Sequence, residues 1–235
     1  MARANRHYIP GQIWHITHRC HNRDALLRCK QDRKQWLSLL YKARNRYKLQ
    51  VLNYAVMTNH IHLLVLDSIP GAIPKSMQLI AGKTAQYYNF RHQRKGAFWE
   101  DRYHATAVAG TKHLLKCMVY IDMNPVRAGL VAHPSEWYFS AYNESRQTGK
   151  RYTIIARRHL MALMGFASWQ ELCAANRNWI ASNLLLGNHK REPFWTEAIA
   201  VGSLQEVFDI MEQLKPHSER RNLSLIQNGA DWVLK

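Results

Sequence analysis

Acidic residues are scarce in this sequence. Asp and Glu number 16 against 33 Lys and Arg, leaving a formal net charge of +17 and a pI near 10.0. An excess of this size sets up a long-range field that recruits polyanions, and nucleic acid is the first partner it suggests. An anionic membrane surface is the rival, but no long basic amphipathic helix is free of core duties, so no membrane partner is expected. Cysteines are few and scattered: Cys20, Cys29, Cys117 and Cys173 form no CxxC pair, which excludes a disulfide framework and a zinc-ribbon pattern. Long apolar runs are missing too. No stretch reaches the roughly 20 residues of a spanning helix. The opening MARANRHYIPG has no apolar core of a secretory signal, so a reducing cytoplasm is the expected location.

A chain of 235 residues with 47% hydrophobic content can nonetheless bury a sizeable core. QIWHITHR, Gln12 to Arg19, predicts a first strand. Trp36, Leu39, Leu40 and Ala43 recur at three-to-four spacing and predict a helix over Asp32 to Tyr47. Leu49 to Leu66 holds two strand-like runs split at Thr58-Asn59, and SIPGAIP, Ser68 to Pro74, is a breaker. Met77, Ile80, Thr84 and Tyr87 predict a second helix over Lys75 to Phe90. A basic loop, RHQRKGAF, leads to a fourth strand in RYHATAVA, and a third helix runs from Thr111 to a stop near Pro125.

This order is the ferredoxin-like split βαβ arrangement: an α+β fold with an antiparallel sheet, helices on one face, and a further helix following. The polar NESRQTGK at Asn143 to Lys150 marks the expected boundary between a domain over 1–145 and a helical C-terminal region over 150–235. ARRHLMALMGF, SWQELCAANRNWIASNLLLG and SLQEVFDIMEQL supply its predicted helices. Arg157, Arg158, Lys190 and Arg191 flank them, as a second nucleic-acid contact or as a solvated face.

In YAVMTNHIHLLVL, His60 and His62 share one face of a strand, because successive side chains alternate. Two such imidazoles suit one metal ion, but on their own they are a weak signal, and a hydrogen-bonded pair at a sheet surface is the competing reading. His15, His18, His21 and Cys20 show no standard ligand spacing and suggest a basic strand end, with zinc as the alternative. In LLKCMVYIDMNPVRAGLV, the residues Lys112, Lys116, Tyr120 and Asn124 follow one another at intervals of four and form a stripe on the third helix. A tyrosine so placed is either amphipathic packing or a nucleophile toward phosphorus. Asn124 offers a hard amide oxygen suited to Mg²⁺ or Mn²⁺, although its place before Pro125 disfavours helical geometry.

Three blocks in order, MTNHIHLLV, GAFWEDRYHATAV and YIDMNPVRAGLV with the following HPSEWYFSAY, resemble the REP-associated tyrosine transposases. These form part of the IS200-like, single-tyrosine (Y1) branch of the HUH endonucleases. The likeness covers about Tyr8 to Tyr142, and PFWTEAIAVGS resembles tails of larger members. Thr58 stands where the family usually has proline, and Asp122 also varies. The resemblance implies that His60, His62 and Asn124 hold Mg²⁺ or Mn²⁺. Tyr120 would attack a single-stranded DNA phosphate, giving a 5′-phosphotyrosine and a free 3′-OH that can reverse the step on another strand. The implied substrate is a palindromic hairpin with a flanking tetranucleotide, and the implied state is a monomer, with a dimer as the alternative.

For such DNA the phosphate contacts are expected from Arg19, Arg23, Lys83, Arg91, Arg94, Lys95, Arg102, Lys112, Lys116 and Arg127. Trp99 is assigned to core packing ahead of base stacking. Two other classes compete: a domesticated hairpin binder without chemistry, and a zinc-type phosphodiester hydrolase using His60 and His62.

Overall fold

A computed structural model describes residues 8–146, 153–187, 191–217 and 223–235. Part of the expected boundary segment, and Lys190, lie outside these. The strands β1 (Ile13–Arg19), β2 (Gln50–Val56), β3 (His60–Leu66) and β4 (His104–Val108) form where alternation predicted them. β1 lies between β3 and β4, antiparallel to both, and β2 pairs antiparallel with β3. The register sets Arg19 opposite His60, Thr17 opposite both His62 and His104, and His15 opposite Leu64 and Thr106. Directly paired residues share a face, so one face of the sheet carries His15, Thr17, Arg19, His60, His62 and His104.

Helix α1 (Lys30–Tyr47) buries Trp36, Leu39, Leu40 and Ala43, the predicted stripe, and packs against α2 (Ala72–Arg91). α2 starts three residues before the expected Lys75. Gly71 takes the left-handed φ of +77° before it, and Pro74 sits in the first turn, where its missing N–H costs nothing. Both helices serve the face opposite the histidines. His18, of the other parity, stacks on Trp99 at 3.9 Å between ring centroids, and the Trp99 indole donates to the Ala81 carbonyl of α2. Trp99 is thereby a half-buried packing residue.

The third helix, α3 (Gly110–Asp122), lies on the histidine face, and the chain runs on through Met123 into the short α4 (Asn124–Arg127). The turn before Pro125 stays helical because Met123 keeps helical φ and ψ, with Met123 N–H bonded to Val119 O at 2.9 Å and Arg127 N–H to Met123 O at 3.0 Å. A bulge in β2 between Val51 and Asn53 turns the Asn53 amide onto α3, where it donates to Met118 O and to Asp122 Oδ1. The helix onset requires glycine. Gly110 has φ +72°, and a Cβ there would lie 2.1 Å from Glu206 Oε1.

Past α5 (Ala141–Arg146), the predicted helices appear as α6 (Arg157–Met164), α7 (Trp169–Leu185) and α9 (Leu204–Leu214), with the one-turn α8 (Phe194–Glu197) between the last two. The region also contains strands that the helical expectation did not include. β5 (Ala200–Gly202) pairs parallel with β4, then β7 (Asp231–Leu234) and β6 (Leu225–Asn228) extend the sheet to the order β2-β3-β1-β4-β5-β7-β6. Strands of three and four residues are too short to show a period of two. Among the described residues no helix is long and apolar enough to cross a membrane.

Asp122 closes α3 inside the protein, with Asn53 and Asn176 each donating to one of its carboxylate oxygens at 3.1 Å. Burial outweighs these donors and pushes its pKa up to about 7. An acid whose folded pKa lies above its unfolded value stabilises most at low pH, and that contribution fades as pH rises through the folded pKa. Asp122→Asn should therefore remove about 2–3 kcal/mol of stability loss between pH 5 and pH 8, as two units of pKa imply. Urea denaturation of both proteins at the two pH values checks this, and the difference between them cancels the histidine titrations they share.

Candidate metal and nucleophile site

The two strand histidines project into a cleft of about 640 Å³, which His60, His62, Tyr120 and Asn124 line together. β3 supplies the imidazoles, α3 the phenol, and the first residue of α4 the amide. His60 Nε2 and His62 Nε2 stand 3.1 Å apart, and the Asn124 amide lies 2.7 Å from His62 Nε2. The Tyr120 ring sits edge-on to His62 at 5.7 Å and to His15 at 6.0 Å. Tyr120 is only 4% exposed, and that burial raises its pKa.

The protonation pattern follows from the outer partners. Asn59 Nδ2 donates to the Arg23 carbonyl at 3.1 Å, so its Oδ1 is left to accept from His60 Nδ1 at 2.6 Å. His60 then has no proton on Nε2. Burial lowers the pKa of His15 to about 3 and of His60 to about 4, and it holds His62 well below the usual histidine range. All three are neutral at pH 7. His15 Nδ1 faces the Trp195 carbonyl at 2.8 Å, which can only accept, and His15 Nε2 meets His62 Nδ1 at 2.9 Å. A neutral imidazole has one N–H, so His62 must donate from Nδ1 and leave its Nε2 bare.

Two bare nitrogens 3.1 Å apart point lone pairs at one another, which favours a cation beside them. As placed, Asn124 Nδ2 donates to the bare His62 Nε2 at 2.7 Å, and rotation of the amide would present its acceptor oxygen instead. The donor set therefore fits a divalent ion: two imidazoles and one amide oxygen, with room for other ligands in an open cleft. Among the described residues no three His, Cys, Asp or Glu side chains converge as a ligand group.

Arg127 comes back onto Tyr120. Its guanidinium lies 4.0 Å from the centroid of the Tyr120 ring and donates to the Tyr120 carbonyl. The positive charge opposes the effect of burial on the phenol. Arg19, Arg23 and Arg102 also line the cleft, with Glu100 and Asp101 beside them.

Six of the expected DNA contacts lie elsewhere. Arg91, Arg94 and Lys95 line a separate surface hollow with Tyr87 and Phe90, and Arg91 is held by Asp32 at 2.6 Å. Lys83 and Lys112 are exposed on α2 and at the start of α3, while Lys116 is tied to Asp231 of β7 at 2.6 Å.

Sequence reasoning misjudged one contributor, left Arg191 open between a nucleic-acid contact and a solvated face, and missed a third. His15 is a fully buried, neutral partner of His62, where a basic strand end was expected. Arg191 lines the cleft near Thr196 and Glu197 and pairs with Glu197 at 2.7 Å. The third is the backbone carbonyl of Trp195, which no side-chain pattern can announce. The spacing of His15 from its partners, 47 and 180 residues, leaves no local motif.

A sheet with two histidines on an inner strand, answered by a tyrosine from α3 and an asparagine from α4, frames a single-tyrosine, histidine-pair candidate site. Residues 9–124 match the IS200-like transposase family. The chain is similar to the REP-associated tyrosine transposase of Escherichia coli K12. The two are 23% identical over 151 residues, spanning 63% of this chain and 87% of that protein. The solved structure of a REP-associated tyrosine transposase bound to a REP hairpin shares the fold, with a TM-score of 0.50 at 22% identity, covering 66% of this chain and 90% of that one.

Proposed function

We propose that this protein is a metal-dependent, single-strand DNA nicking and rejoining enzyme that acts on palindromic hairpin DNA through Tyr120. The convergence of His60, His62, Asn124 and Tyr120 on one cleft carries this reading. The match of residues 9–124 to the IS200-like family and the hairpin bound by its structural relative support it.

Tyr120 Oη would attack the scissile phosphorus. The P–Oη bond forms as the P–O3′ bond breaks, the phenol gives up its proton, and the departing 3′ oxygen takes one up. The 5′-phosphate stays on the tyrosine, and its ester conserves the free energy for rejoining to a 3′-OH. Mg²⁺ or Mn²⁺, held by His60, His62 and Asn124, would polarise the phosphate oxygens when bound. Arg127 stabilises the phenolate form of Tyr120 from across its ring. Arg19, Arg23 and Arg102 hold the flanking phosphates at the cleft walls. The protein acts as a monomer in the cytoplasm in this reading, and the C-terminal region adds Arg191 to the same cleft.

The test incubates the full chain with single-stranded hairpin oligonucleotides and Mn²⁺, then runs denaturing gels. A protein–DNA adduct with a free 3′-OH is expected. Cleavage without an adduct supports a hydrolase, and tight hairpin binding without cleavage supports a binder that has lost its chemistry.

Arg127 offers a finer check. Arg127→Met should slow adduct formation about 2- to 30-fold, the scale of a cation–π contact worth about 0.5–2 kcal/mol. Hairpin affinity, measured at two salt concentrations, should change much less, because the guanidinium is turned onto Tyr120.

A further inference from the structure

We infer that the C-terminal segment is a working part of the catalytic centre: the Trp195 carbonyl, through His15, sets the tautomer of the metal-binding histidine His62. The inference rests on the metal reading proposed above for His62.

The observation is a continuous chain of buried contacts. Trp195 O meets His15 Nδ1 at 2.8 Å, and His15 Nε2 meets His62 Nδ1 at 2.9 Å. The far nitrogen, His62 Nε2, faces Asn124 and His60. The direction of this chain is forced at its outer end. A carbonyl has no proton to give, so His15 must donate there and accept from His62. His62 is thereby compelled to present a lone pair to the cleft, and its ring is fixed in orientation. Metal-ligating histidines are commonly steadied in this way by an acceptor on their second nitrogen. Here the acceptor is another neutral imidazole, itself set by the backbone.

The carbonyl is well anchored. Trp195 is 1% exposed, and its indole donates to Glu192 at 2.9 Å. Three residues on, the Ala198 carbonyl accepts from Thr106 at 2.7 Å and meets His104 Nε2 at 2.9 Å on the same sheet face. The Ile199 carbonyl then accepts from Ala107 N–H at 2.8 Å, just before β5 joins β4. This segment lies outside the 9–124 span that matches the transposase family.

His15 is a positioning residue, and the deciding measurement is the tautomer. Long-range ¹H–¹⁵N correlation spectra of the metal-free, full-length protein, with ¹⁵N in the histidine rings, should show His15 and His62 both protonated at Nδ1. A His62 protonated at Nε2 overturns the inference, whatever the protein cleaves. Two variants extend the test. His15→Phe keeps a ring but has no acceptor, so His62 should lose its fixed tautomer and Mn²⁺ affinity should fall about 10- to 100-fold. His15→Gln places an acceptor within reach of His62 Nδ1 and should bind Mn²⁺ within a few-fold of the wild type. Equal Mn²⁺ affinity in wild type and His15→Phe, with His62 still protonated at Nδ1, also overturns it. If His15→Phe fails to fold, the wild-type spectrum and His15→Gln still decide. A wild type with both Nδ1–H tautomers but no Mn²⁺ binding supports the relay and sinks the metal reading, which separates the two failures.

Discussion

Tyr120→Phe should abolish the covalent protein–DNA adduct, lowering strand cleavage by at least about a thousandfold, the scale at which loss of a nucleophile is felt. The substitution removes one oxygen and leaves the ring. That ring packs against His15, His62 and Trp195 at centroid distances of 5.7 to 6.0 Å, and Arg127 covers its face. All of those contacts survive in phenylalanine, so the fold and the imidazole pair should stay in place. Hairpin affinity should stay within a few-fold of the wild type, because the arginines proposed to hold phosphate are untouched. The adduct is read on denaturing gels with end-labelled DNA, and binding by fluorescence anisotropy. Cleavage that persists in Tyr120→Phe would remove the tyrosine from the mechanism and turn attention to activated water.

The placement of this phenol also shows what a sequence can carry. His60 and His62 were legible because strand alternation puts them on one face whatever the rest of the chain does. Tyr120 and Asn124 were legible as helix neighbours, although Pro125 argued against a helical turn there. Met123 kept helical geometry, and the chain absorbed the proline by starting a new short helix. Four strands and three long helices showed their periods clearly. β5, β6 and β7 did not, being too short, and their pairing depends on partners far along the chain. His15 was misjudged for a related reason. Its sequence neighbours are basic, but its spatial neighbours are His62 and the Trp195 carbonyl, and burial among them strips its charge. Six of the ten expected DNA-binding cations lie away from the cleft. Sequence shows that a lysine or arginine is present, whereas an acidic partner such as Asp231 or Asp32 decides where it points.

The metal itself is best tested by stability, since facing lone pairs make a specific demand. In the wild type, His60 Nε2 and His62 Nε2 lie 3.1 Å apart, and the tautomers argued above leave both without a proton. A divalent ion at a hundredfold excess over its Kd stabilises the folded state by about 2.7 kcal/mol. For a chain of this length that corresponds to a rise in Tm of roughly 5–10 °C. His60→Ala should lose this rise, with Mn²⁺ affinity down at least about 100-fold, a larger loss than a supporting partner would give. The metal-free variant should remain within about 1 kcal/mol of the wild type: the lost hydrogen bond to Asn59 is offset by removal of the opposed lone pair. The sign of that comparison is informative. An ordinary structural hydrogen-bonded pair would make His60→Ala less stable with or without Mn²⁺, and by the same amount. A metal site makes the difference grow with Mn²⁺ concentration and leaves it small in chelator. Thermal melts of both proteins across a Mn²⁺ titration distinguish the two, and a parallel series in Ca²⁺ shows whether a cation that prefers all-oxygen ligands can replace one suited to imidazole.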